Sequence, residues 1–372
     1  VIAAILFAWL QYAADGLPHA RAVVTGACPI ATFDGRPVRM GRRAVPQNGF
    51  GDSVCDLTVP PGTRQIKVGS HRLPAPVREV HKVVVIGDTG CRILPPKLQA
   101  CNDPAQWPFP AVARSIVREH PDVVVDVGDY YYREAACPAT FSGCAGSPSG
   151  DNAASWYADW LTPASAMFPT IPLVLARGNH EDCQRGGIGW MRYLDAFPMA
   201  GCRTVEAPFA VSLGGLRIAV FDSAYADDTA KDASLAEFER SFSAVRRLVS
   251  GRTWFVTHRP PYLNADESAA MGDALDAFSA VLAGHIHLFA VMNKPPHPPL
   301  VINGVGGDFL DTEAAGELRM LLGPDGRSVK VSFGFVVYTR SPLGWDISLR
   351  DPAGAELAHC VLTEGRPGSV RC

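Results

Sequence analysis

Five short segments of the chain end in side chains of the kind that bind cations or move protons. They are Gly87-Asp88-Thr89-Gly90, Gly128-Asp129-Tyr130-Tyr131-Tyr132, Gly178-Asn179-His180-Glu181, Thr257-His258 and Gly284-His285-Ile286-His287. Each follows a short, mostly apolar run with the pattern of a buried strand, and polar groups just past the carboxyl ends of strands in α/β sheets sit where ligands bind. One Asp after a glycine is ordinarily a polar turn, and one histidine is ordinarily a satisfied core or surface residue. Three histidines at strand ends, matching two aspartates and an asparagine at others, are not well explained that way. Two carboxylates side by side raise one another's pKa, so a cation between them is the economical arrangement. Alternation in an extended segment puts His285 and His287 on one side, where both imidazoles address neighbouring cations.

The elements that must hold these groups are legible around them. Val83–Ile86 and Val123–Val127 read as strands, and Phe109, Val112, Ala113, Ile116 and Val117 keep helical spacing between them. That is a βαβ unit with Asp88 and Asp129 at the same sheet edge. Further strands are expected at 171–176, 216–221, 253–257, 278–283 and 300–303. Ser234 and Glu237 suggest a capping box for a helix with Leu235, Phe238, Phe242, Val245 and Val249 on its apolar face. Residues 319–363 alternate like antiparallel strands and are expected to complete the second sheet. Trp156, Tyr157 and Trp160 read as packing residues.

The 372 residues carry a formal charge of −3, with 19% charged side chains. No basic run with interleaved aromatics occurs, which argues against nucleic acid as a structural partner. Val1–Leu10 is apolar but shorter than the roughly 20 residues of a membrane span. It reads as the core of a partial secretory signal over residues 1–22, cleaved after Ala20-Arg21-Ala22 or nearer Ala14, with a lipoprotein site at Cys28 as a weaker alternative. Residues 23–78 are rich in Gly, Pro and Val and suggest a small β-rich domain ending at Leu73-Pro74-Ala75-Pro76, with the main domain at 79–372. The ten cysteines fit an oxidising compartment, secreted or periplasmic. Pairing of neighbours along the chain is expected: Cys28–Cys55, Cys91–Cys101, Cys137–Cys144, Cys183–Cys202 and Cys360–Cys372. The alternative is that several are free buried thiols.

In combination and in this order, the five blocks resemble those of the calcineurin-like metallophosphoesterases over roughly residues 80–310, and most of all the purple acid phosphatase branch. The broader family usually has Asp-x-His in the first block, and Gly90 stands where that histidine would be. Tyr132 is the replacement ligand the resemblance offers. Phe255 replaces a common valine. The resemblance implies a four-layer α/β/β/α sandwich and two metal ions. Asp88, Asp129, Tyr132 and His287 would hold one, and Asp129, Asn179, His258 and His285 the other. A phenolate ligand calls for a strongly acidic cation such as Fe(III) at the Tyr132 site, with Fe, Zn or Mn as the second ion. The implied reaction is hydrolysis of a phosphorylated small molecule, a phosphomonoester, by attack of metal-bound hydroxide, as in an acid phosphatase. His180 is the candidate donor to the leaving oxygen, and Arg177 and Arg259 are candidate charge stabilisers. The alternatives are a phosphodiesterase or nucleotide-cleaving enzyme on the same scaffold and a non-catalytic binding protein.

Overall fold

The computed structural model describes residues 4–226, 233–322, 329–365 and 368–372. Two large sheets face each other with helices on both outer sides. The first has eleven strands. Its order is Ser369–Arg371, Glu356–Thr363, Gly344–Arg350, Phe335–Ser341, Lys82–Ile86, Val123–Asp126, Leu173–Leu175, Ala4–Tyr12, Pro18–Thr25, Ser53–Thr58 and Gly41–Ala44. The second has seven, in the order Phe209–Ser212, Arg217–Val220, Thr253–Val256, Ala280–Ala283, Leu300–Asn303, Phe289–Met292 and Val329–Lys330.

The period-two pattern of the apolar runs explains the layering. Val83, Val85, Val123, Val125 and Val174 point between the sheets and meet Ile218, Val220, Trp254, Val256 and Leu282 from the second one. Their neighbours Val84, Ile86, Val124, Leu173 and Leu175 point outward, onto Phe109, Val112, Ala113 and Ile116 of the helix Phe109–Glu119. The second sheet repeats this: Phe221, Phe255, Val281 and Ile302 pack on Phe238, Phe242 and Val245 of the helix Leu235–Arg246. Strands buried on both faces need apolar residues at every position, which is why these runs are continuous.

Val83 pairs with Val123 and Val124 with Leu173, all parallel, so the ends of the three strands lie along one edge. All five expected disulfides form, Cys28–Cys55, Cys91–Cys101, Cys137–Cys144, Cys183–Cys202 and Cys360–Cys372. Among the described residues no helix is long and apolar enough to cross a membrane.

Three expectations are corrected. Ala4–Leu10, read as the apolar core of a leader, lies in a strand of the first sheet, with Trp9 and Leu10 wholly buried and Gln11 paired with Leu173. The expected cleavage after Ala22 falls inside its hairpin partner Pro18–Thr25. The expected boundary at residue 23 is therefore no break in the fold, and strands 41–44 and 53–58 continue the same sheet. A four-stranded sheet, Arg36–Arg39, Ile30–Phe33, Ile66–Val68 and His71–Leu73, packs on this extension. Secondly, of residues 319–363, expected as antiparallel strands of the second sheet, 319–322 end the helix Thr312–Leu322 and 323–328 lie outside the described residues. Val329–Lys330 does join the second sheet, but Phe335–Ser341, Gly344–Arg350 and Glu356–Thr363, antiparallel as expected, join the first, where Val336 pairs with Val85. Thirdly, Ser234 does not cap its helix. Its hydroxyl donates to Asp266 Oδ2 at 2.8 Å, while Glu237 pairs with Arg240.

Candidate metal centre

Asp88 and Asp129 follow their strands at the shared edge with φ of 58° and 62°, and His285 has φ 70°. Left-handed backbone is uncommon outside glycine, and Asp and His are among the side chains that tolerate it. Three candidate ligands in this region indicate a backbone bent to aim side chains inward. Glycines make the close approach possible. A Cβ on Gly178 would lie 2.1 Å from Asp129 Oδ1, and one on Gly284 would lie 2.6 Å from Asp88 Oδ2.

The side chains form two groups that share Asp129. In one, ligand-type atoms of Asp88, Asp129 and His287 lie within 4.8 Å of one another, and in the other those of Asp129, His258 and His285 do. Tyr132 joins the first: its hydroxyl donates to Asp129 Oδ2 at 2.7 Å and lies 3.2 Å from both Asp88 Oδ1 and His287 Nε2. Asn179 joins the second, with Oδ1 3.0 Å from His258 Nε2. The segment that carries His285 and His287 is not extended, and the two groups they join are neighbours that share Asp129. The chain turns sharply at His285, and the two imidazoles go to different groups.

The donor set suits two cations. His287 Nδ1 donates to Phe309 O at 2.7 Å and His258 Nδ1 to Val127 O at 3.0 Å, which leaves Nε2 of each ring facing the carboxylates. Metal-ligating histidines are held in this way, by a carbonyl on the other nitrogen. Burial opposes charging either ring, but the carboxylates prevail. Asp308 and Asp88 push His287 up to about 9, and Asp129 raises His258. Asp129, although buried, is held well below the usual carboxylate range by His258 and His180. Burial and the Asp129 and Asp88 charges push the Tyr132 phenol well above its ordinary value. A phenolate here therefore requires a strongly acidic cation.

Groups behind the ligands fix their directions. Glu181 is wholly buried and accepts four backbone N–H groups, from Asp129, Tyr130, Tyr131 and Gly178, at 2.9–3.0 Å. It thus binds the Asp129 loop to the Asn179 loop. Asp159 accepts from the N–H of Cys91 and of Tyr132 at 3.0 and 2.8 Å. The Arg92 guanidinium lies 4.5 Å above the Tyr132 ring and pairs with Asp308, its Nε 2.9 Å from Oδ2.

His180 packs on Tyr132 with ring centroids 4.0 Å apart and planes tilted by 43°, and its Nε2 is 3.9 Å from Asp129 Oδ2. Its Nδ1 is bound by the carboxylate of Glu134. Arg259 donates to His285 Nε2 at 3.0 Å. Arg177, a candidate substrate contact, is instead buried behind the site. It donates to Glu181 O at 3.0 Å and Arg203 O at 2.8 Å, lies 3.5 Å from Asp222, and touches both sulfurs of Cys183–Cys202. It braces the loop and lines neither cavity described next.

Two cavities meet at Asn179 and Arg185. One of about 810 Å³ is lined by Arg92, Leu94, Lys97, His180, His287 and Phe309, among others. The other, about 500 Å³, includes Gln184, Thr204, Tyr225 and Arg259. The sequence reading did not find Glu134, Asp308, Arg92, Lys97 or Arg185. Glu134 lies five residues past Asp129 and Asp308 just past a Gly-Gly pair, but neither position carries a motif.

No curated protein matches the chain by sequence. Solved structures that share its fold include the following two. A purple acid phosphatase from seeds of yellow lupin, Lupinus luteus, superposes with a TM-score of 0.61 at 15% identity, covering 96% of this chain and 74% of that one. PhoD gives 0.60 at 13% identity, with coverage of 98% and 91%. A family model described as calcineurin-like phosphoesterase matches residues 81–289, which hold all seven candidate ligands. With more than half its length matched, the chain belongs to the calcineurin-like phosphoesterase family.

Proposed function

We propose that the protein is a dinuclear-metal phosphomonoesterase of the acid phosphatase type, acting outside the cytoplasm. The observation that carries this is the pair of ligand groups sharing Asp129, one of them containing a buried tyrosine. Asp88, Asp129, Tyr132 and His287 would hold Fe(III), and Asp129, Asn179, His258 and His285 would hold Fe, Zn or Mn. When bound, the two ions acidify water and neutralise phosphoryl charge.

The chain's own residues do the rest. Glu181 holds both ligand loops in register, so little reorganisation is needed when substrate binds. His180, oriented through Nδ1 by Glu134, keeps Nε2 toward the metal side of the cavity. As an imidazolium it donates that proton to the leaving oxygen. Arg259 and Arg185 border Asn179 and supply positive charge to the remaining phosphoryl oxygens. Five disulfides fit an oxidising compartment.

Metal analysis with a visible spectrum tests the metal assignment. A tyrosinate-to-iron band that disappears in Tyr132→Phe is expected. A colourless zinc or manganese enzyme would keep the esterase and discard the ferric site. The second reading, a phosphodiesterase, is favoured by one observation: two cavities on either side of Asn179 leave room for two substituents on phosphorus. Hydrolysis of p-nitrophenyl phosphate faster than of bis-p-nitrophenyl phosphate is expected, and the reverse order selects the diesterase.

A further inference from the structure

The chain's formal charge of −3 hides a division: residues 1–80 hold nine Lys and Arg against five Asp and Glu, a formal +4, leaving −7 for the remainder. Two of those five acids are already engaged. Asp52 is buried against Arg192 at 2.7 Å, and Asp56 accepts from Arg21 at 3.0 Å.

The surplus is concentrated by the four-stranded sheet. Residues directly opposite in a sheet share a face. The row Arg36, Phe33, Ile66, Leu73 and the row Val38, Ala31, Val68, His71 face the hairpin of the first sheet, where Phe33, Ile66, Leu73, Ala31 and Val68 are buried. The row between them, Pro37, Thr32, Lys67 and Arg72, and the pair Arg39 with Ile30, turn the other way. On this outer face Arg39, Lys67 and Arg72 are exposed, and none has an ion-pair or side-chain hydrogen-bond partner among the described residues. No acid occupies any of these outward positions, and Ile30 lies among the cations 50% exposed.

The chemistry of the face selects its partner. Trp9, Tyr12, Phe33 and Phe50 of this region are buried and Phe7 packs against the core, so no aromatic platform exists for stacking bases. Cations around an aliphatic side chain suit the headgroup level of a negatively charged membrane surface. We propose that this face docks the protein peripherally on an anionic lipid bilayer. Gln11 pairs beside Leu173 in parallel, so the residues before it, on which the small sheet packs, extend away from the strand ends that carry the ligands. The docking face therefore does not include the strand ends that carry the ligands.

Co-sedimentation of the full chain with phosphatidylcholine vesicles, with and without phosphatidylglycerol, tests this. Binding only to the anionic vesicles is expected, and it should fall as salt rises and the screening length shrinks from about 10 Å at 0.1 M to about 3 Å at 1 M. Each cation near such a surface contributes about fivefold in affinity, so the Arg39→Gln, Lys67→Gln, Arg72→Gln triple variant loses on the order of 100-fold. Its hydrolysis of p-nitrophenyl phosphate in solution stays unchanged, which shows that it folds. Ile30→Ser weakens what binding remains at high salt. Equal binding to neutral and anionic vesicles, no vesicle binding, or an unaffected triple variant overturns the proposal. Retention on heparin without vesicle binding also overturns it, in favour of an acidic polysaccharide.

Discussion

The two ligand groups share Asp129 but are supported differently. The group with Asp88, Tyr132 and His287 rests on fixed charges: Arg92 stacked on Tyr132 and paired to Asp308, Asp308 beside His287, and Asp159 holding the Tyr132 backbone. Two carboxylates and a phenol make it hard and anionic. The group with Asn179, His258 and His285 offers one shared carboxylate and neutral donors. Its Asn179 rides on a loop secured by Glu181, Arg177 and the Cys183–Cys202 bridge. A tight, high-charge ion suits the first group, and a more exchangeable divalent ion the second.

The largest effect should come from breaking what the groups have in common. Asp129→Ala is expected to lose both ions and all measurable hydrolysis, read by metal analysis and turnover together. Retention of one full equivalent of metal would show that Asp129 is no bridge. Next come substitutions that separate the groups. Asn179→Ala should keep the tyrosinate band and lose the second ion, whereas Tyr132→Phe should bleach the protein. Asp308→Asn, behind His287, should weaken only the Tyr132-side ion, by about 10–100-fold. If Asn179→Ala leaves metal content and turnover unchanged, its assignment as a ligand is wrong.

A third test leaves both groups intact. His180→Gln should lower turnover by about 10²–10⁴-fold with metal content unchanged, as for loss of a positioned proton donor. Glu134→Gln should show a smaller loss, because the ring keeps its place on Tyr132 but loses its carboxylate partner. Steeper losses for substrates with poor leaving groups are the expected mark of a missing proton donor. Equal losses across leaving groups would assign His180 to binding instead.

What the sequence disclosed follows from range. The seven candidate ligands were legible because all sit within a few residues of one of five strand ends, and a buried strand followed by a short polar turn is a local pattern. The two-sheet layering was legible for the same reason, from Val83–Ile86 and its counterparts. Glu134, Asp308 and Arg92 were not, because their meaning lies in contacts with His180 and His287 made only after folding. Sheet membership failed similarly. The alternation in 335–363 gives strands, but only the pairing of Val336 with Val85 decides which sheet they extend. The misread N-terminus is a case of degeneracy: Ala4–Leu10 has the apolar composition of a leader, and only its neighbours across the sheet reveal a core strand.

The finest distinction between the groups is mechanical. Cys183–Cys202 closes a loop over a sequence separation of 19, a constraint worth about 3 kcal/mol on chain-entropy grounds. Its sulfurs contact Arg177, which in turn holds Glu181 O, two residues past Asn179. Among the described residues, neither the bridge nor Arg177 contacts Arg92 or Asp308. The Cys183→Ser, Cys202→Ser variant should therefore lose affinity for the Asn179-side ion by roughly tenfold, well below the unfolding midpoint, while the tyrosinate band is unchanged. Metal titrations followed by that band and by activity separate the two sites. Parallel weakening of both ions would mean that the loop braces the whole centre, and the contrast between a fixed group and a loop-borne group would not stand.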